Sequence, residues 1–129
     1  SNGHLFKKSA LSYQSDGNLS TIESYFDLTG GQLSLEKTDR FSDYDNKTNV
    51  DDFYLVKEFF DTYLFLPQVK LQKNNPLKHE ITGVQNDYEI TYTYDFQNNL
   101  PVRKTGMMKQ TRGSGSGQTL QITNQFIYY

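Results

Sequence analysis

Between Tyr88 and Phe96 the chain alternates without a break. Tyr88, Ile90, Tyr92, Tyr94 and Phe96 fall on one parity, and Glu89, Thr91, Thr93 and Asp95 on the other. A period of two puts alternate side chains on opposite faces, so this is a strand with one face toward a core and one toward water. The Gln97-Asn98-Asn99 turn follows, and Leu100–Arg112 reads as the returning strand. The same period recurs upstream. Leu5–Tyr13 carries Leu5, Leu11 and Tyr13 on one face. Asp16-Gly17-Asn18 is a tight turn, because Gly accepts positive φ and Asp bonds its own following backbone. Leu19–Leu28 returns, Gly30-Gly31 turns again, and Leu33, Leu35 and Phe41 share the odd face of the next strand.

Tyr44–Val50 is turn-rich, and after it the period changes. Phe53, Val56, Phe59, Phe60 and Tyr63 recur at spacings of three and four, which predicts a helix over Asp51–Leu64. Asn49 or Asp51 would cap it, with Asp51 and Asp52 complementing the helix dipole. Pro67 marks its end or the loop beyond. The period of two returns at Leu77–Val84, and Gln85-Asn86-Asp87 turns into the Tyr88 strand. Gly113–Gly117 (GSGSG) is a loop, and a last strand carries Leu120, Ile122, Phe126 and Tyr128 on one face. The expected fold is mainly β. About seven strands form an antiparallel meander, a curved sheet or partial barrel, with one short helix packed on it.

At 129 residues the chain makes one domain, with a core supplied largely by Tyr and Phe. Ser1-Asn2, with Gly3, matches the scar that a tag-cleaving protease leaves, so the domain itself is taken as 4–129. The net charge of −2 favours neither nucleic acid nor a membrane surface. Charge is uneven along the chain, however. Arg103, Lys104, Lys109 and Arg112 occupy a C-terminal third without acids, with Arg103 and Lys109 expected on one face and Lys104 and Arg112 on the other. Zero cysteines exclude disulfides, thiol catalysis and thiolate metal sites. No apolar run reaches the roughly 20 residues of a membrane-spanning helix.

Tyr92–Lys104 (YTYDFQNNLPVRK) resembles the tyrosine-aspartate hairpin of YD-repeat proteins, and Asp16-Gly17-Asn18-Leu19 matches its second half. With Tyr44–Asn49 (YDNKTN) and Asn74-Asn75-Pro76, the order is similar to a group of lipoproteins of unknown function from Bacteroides and its relatives, with a porin-like fold. Val50 stands where that group more often has Pro. The resemblance implies a cell-envelope location, in the periplasm or at the outer-membrane surface. It also implies an antiparallel β fold, and membrane attachment only through a lipid anchor on a removed leader. It carries over no catalytic residue. The outward apolar band and aromatic girdles of a lipid-facing barrel are missing.

Candidate chemistry is sparse. Asp43, Asp45, Asn49, Asp51 and Asp52 gather hard oxygen ligands that calcium favours. The EF-hand pattern fails, since Lys47, Thr48 and Tyr54 stand where a ligand, a glycine and a glutamate belong; a turn and a helix cap would use the same residues. His79, between Lys78 and Glu80, reads as a surface histidine, and no metal-binding spacing includes it or His4. Gly113–Gly117 fits no phosphate-binding loop. The scattered glutamates form no evident pair for glycoside hydrolysis. Tyrosine rings stack on sugars. Tyr92 and Tyr94 are expected in the core, whereas Tyr44, Tyr128 and Tyr129 are the candidates for ligand contact. No cofactor is called for. The expectation is a non-enzymatic envelope binding module for a glycan or an envelope protein. The alternative is a structural or assembly domain contacting proteins through strand edges, with Gln118–Tyr129 as the candidate edge. A hydrolase whose residues converge only in space ranks last.

Overall fold

A computed structural model describes residues 7–27, 30–50 and 72–129. Its strands are β1 (Lys7–Tyr13), β2 (Leu19–Phe26), β3 (Ser34–Tyr44), β4 (Pro76–Gly83), β5 (Asp87–Gln97), β6 (Leu100–Arg112) and β7 (Thr119–Gln125). They form one seven-stranded antiparallel sheet in the order β1-β2-β3-β4-β5-β6-β7, so every strand pairs only with its chain neighbours. The sheet is open, since β1 and β7 are edges rather than partners. Among the described residues there is no helix. The helix expected over Asp51–Leu64 lies outside them.

Local chemistry explains the turns. Asn98 and Asn99 have φ of 53° and 64°. Positive φ at both central residues makes the primed two-residue turn whose twist suits a hairpin, and Asn tolerates it. Gly17 has φ of 89° in the β1–β2 turn.

Register then sorts the two faces. Ile22 lies opposite Asp39, Phe41 opposite His79, His79 opposite Ile90, Ile90 opposite Met108, and Gly106 opposite Ile122. This inner face holds the core of Leu19, Ile22 and Phe41, with Leu11 and Tyr44 packed on it. The outer face is polar. Glu80 and Glu89 sit directly across from each other, a repulsive placement. Lys78 Nζ lies 2.9 Å from Glu80 and 4.0 Å from Glu89, which offsets the repulsion.

Two bulges correct expectations based on a strict period of two. Ser24 pairs with Lys37 but Tyr25 pairs with Leu35, so one extra residue in β3 turns Leu35 away from the face of Phe41. Leu35 is 48% exposed. Likewise Tyr88 pairs with Gln110 but Asp87 pairs with Arg112. The extra residue in β6 brings Arg112 onto the outer face with Arg103 and Lys109, not onto the inner face with Lys104. The last strand is also shorter than its alternation suggests. Ladder pairing ends at Gln125, and Leu120 and Ile122 are 57% and 48% exposed.

Three hairpins close in the same way. Tyr44 Oη donates to Leu19 O (2.6 Å), Tyr94 Oη to Pro76 O (3.0 Å) and Tyr128 Oη to Pro101 O (2.5 Å). In each case a tyrosine on or just after the returning strand reaches the carbonyl at the start of the leading strand. The preceding segments, Asn18-Leu19, Asn75-Pro76 and Asn99-Leu100-Pro101, are variants of one pattern.

Candidate functional site

The inner face of β3 to β7 carries a cavity of about 350 Å³. Alternation on five strands builds it. β3 supplies Lys37 and Asp39, β4 His79 and Ile81, β5 Ile90 and Tyr92, β6 Lys104, Gly106 and Met108, and β7 Ile122 and Asn124. Gly106 makes the room. A Cβ there would lie 3.0 Å from Tyr92 Cε1, so the Tyr92 ring occupies the space over a strand position without a side chain.

At one side of the cavity His79 Nε2 lies 2.7 Å from Asp39 Oδ1. Both residues are buried, at 5% and 0% exposure. An ionised carboxylate only accepts, so Nε2–H is the donor in this pair. The imidazole stacks on Phe41, with centroids 4.3 Å apart. Asp39 Oδ2 is closed to solvent and is ion-paired with Lys37 Nζ at 3.4 Å, with no hydrogen-bond donor to it among the described residues. At the other side Lys104 Nζ lies 4.4 Å from the Tyr92 ring centroid and 5.9 Å from that of Tyr94, within cation–π range. An aromatic ring, an amide and ammonium groups around a partly apolar space suit a ligand with hydroxyl groups.

The expectation of a surface histidine at 79 is therefore overturned. The signal was present: Leu77, His79 and Ile81 share a parity, while Lys78, Glu80 and Thr82 share the other. Asp39 interrupts the same parity as Phe41. What the sequence hides is their pairing across 40 residues of chain.

Of the residues expected to bind calcium, Asp45 and Asn49 make hydrogen bonds within the turn region. Asp45 Oδ1 accepts from Lys47 N (3.0 Å) and Asn75 N (3.0 Å), and both Asp45 oxygens accept from Asn75 Nδ2. Asn49 Nδ2 donates to Gln72 Oε1 at 3.2 Å. Asp43 has φ of 55° at the end of β3. Asp51 and Asp52 lie outside the described residues. Among the described residues no group of three His, Asp or Glu side chains is arranged to hold a metal.

These contacts belong to a larger polar junction that joins the turn motifs. Asn18 is fully buried. Its Oδ1 accepts from Lys73 N (2.8 Å) and Asn74 N (3.0 Å), while its Nδ2 donates to Asp16 Oδ2 (3.2 Å) and Asn74 Oδ1 (3.0 Å). Asn74 Nδ2 in turn donates to Lys47 O at 3.0 Å. Hydrogen bonds from Asn18 hold the Asp16 carboxyl below its usual range. The DGN, YDNK and NNP segments thus interlock at one end of β2, β3 and β4.

The candidate tyrosines stand apart from the cavity lining. Tyr44 is half-buried, accepts from Gln72 Nε2 at 3.1 Å, and has its phenol pushed up by burial. Tyr128 spends its hydroxyl on Pro101 O, and Tyr129 is fully exposed. Tyr92, which was expected in the core, lines the cavity instead. Compared with protein-family models, curated proteins and solved structures, the chain matches none.

Proposed function

We propose that this chain is a non-enzymatic binding module of the cell envelope, and that it takes a glycan in the cavity between β3 and β7. The observation that carries this reading is one cavity lined by the Tyr92 ring, the Asn124 amide and the ammonium groups of Lys37 and Lys104. Sugars present apolar ring faces that stack on aromatics, and hydroxyls that need both donors and acceptors. Tyr92 supplies the ring, Lys104 supplies donors, and the Asn124 amide supplies both a donor and an acceptor. The envelope location rests on the resemblance of the turn motifs to the Bacteroides lipoproteins.

Titration of the purified domain with soluble neutral and acidic oligosaccharides tests the reading. A sugar at a hundred times its dissociation constant adds about 2.7 kcal/mol of stability, a readily measured rise in melting temperature. Tyr92→Ala and Asn124→Ala should each abolish that rise while leaving the ligand-free protein folded. A flat panel, or a rise indifferent to both substitutions, removes the proposal.

A second reading is an assembly domain contacting protein through a strand edge. It is favoured by β7, an edge strand with Leu120 and Ile122 about half exposed.

A further inference from the structure

Edge strands usually carry features that prevent accidental pairing, such as lysine, proline, a bulge or extreme shortness. β7 has none of them. Its sequence TLQITNQ contains no charge and no proline, and its pairing to β6 is regular from Thr119 to Gln125. The neutrality extends further, because no charged side chain occurs from Gly113 to Tyr129. β1, at the opposite edge, begins with Lys7 and Lys8.

The outward backbone groups of β7 can be identified. Gln110 N donates to Gln118 O, and Phe126 N donates to Val102 O. Even positions of this segment therefore bond to β6. In an antiparallel ladder the alternate residues point their N–H and C=O the other way. Thr119, Gln121, Thr123 and Gln125 thus present a row that pairs with no other strand among the described residues.

We propose that the partner of this edge is β7 of a second copy, added antiparallel across a two-fold axis at Ile122. This rests on the assembly reading and names its partner. Only certain registers join two outward rows, and centring on Ile122 is one that uses the whole strand. Gln121 then faces Thr123 of the second copy and Thr119 faces Gln125, each as a narrow pair exchanging two backbone bonds, about eight in all. Ile122 faces its own copy, and Leu120 faces Asn124, on the inner side. A two-fold contact sets each residue of the axis against itself, which penalises a charged strand and leaves a neutral one unopposed. The product is a continuous fourteen-strand sheet, because seven strands come from each copy.

The absence of cysteine permits a direct test. Ile122→Cys places one thiol of each copy on the axis, so mild oxidation should give a disulfide dimer. Leu120→Cys, opposite Asn124, should not cross-link. Sedimentation of the unmodified protein up to about 0.5 mM should show a concentration-dependent dimer. Thr123→Pro, which removes an outward N–H, should weaken the dimer at least tenfold, with the melting temperature of the monomer as the check on folding. Cross-linking at Leu120 rather than Ile122 overturns the register, and a dimer indifferent to Thr123→Pro overturns the edge contact. A protein that stays monomeric overturns self-pairing. If that monomer still takes up a synthetic TLQITNQ peptide, the edge reading stands and the second copy is wrong; if it does not, both fall.

Discussion

Asn18 shows how much one side chain can hold. With no exposure it offers both amide hydrogens and its carbonyl oxygen to Asp16, Asn74 and the Lys73 and Asn74 backbone. Asn18→Ala leaves the Lys73 and Asn74 N–H groups without their acceptor in a part-buried junction, and each unsatisfied buried group costs about 1–3 kcal/mol. The expected loss is about 3 kcal/mol in chemical denaturation, with Asn18→Asp retaining part of it by keeping the acceptor. The sequence made Asn18 legible as a turn residue, since Asp-Gly-Asn is local chemistry. It could not reveal the Asn74 contact, which spans 56 residues. His79 and Asp39 fall under the same limit, their faces readable from parity and their partnership not.

At the scale of elements, the strands were legible wherever alternation was unbroken. β5 and β6 follow the expected bounds closely, and the Asn98-Asn99 turn sits where its residue types place it. Bulges defeated the reading elsewhere, because one inserted residue reverses parity without leaving a compositional mark. Leu35 and Arg112 are both on the face opposite to the one their number implies. The cavity depends on an element-level gap as well: β6 passes under Tyr92 with only Gly106 between. Gly106→Ala forces that ring to shift, at a cost of about 1–3 kcal/mol for overpacking. If the cavity is the binding site, the same substitution should reduce sugar affinity more than a control such as Thr105→Ala on the outer face. Calorimetric titration alongside thermal unfolding separates the two effects.

For the whole molecule, pH stability has two limbs of known sign. Asn18 and Arg112 hold the carboxyls of Asp16 and Asp87 below the ordinary value of 3.8. Groups with depressed folded values stabilise above the unfolded value and lose that contribution as pH falls through the folded one, so the acid decline lies below about pH 4. Burial raises the phenols of Tyr44 and Tyr128, and hydrogen bonding to Glu23 raises that of Tyr25. Raised groups stabilise fully below their unfolded value, here 10.0, and that contribution fades as pH climbs beyond it. Urea midpoints should therefore be level across neutral pH and fall at both extremes, and Tyr44→Phe should flatten the alkaline limb. The meander was the most legible feature at this scale, since short turns leave chain neighbours little alternative but to pair everywhere except between β3 and β4, which the segment 45–75 joins. That topology also decides how the molecule would yield to tension. Each strand is bonded only to its sequence neighbours, so a pull on the two ends peels the sheet from its edges, rupturing ladder bonds a few at a time instead of shearing many together. The tyrosines at Tyr44, Tyr94 and Tyr128 would act as catches in that unzipping, and extension should advance in hairpin-sized steps.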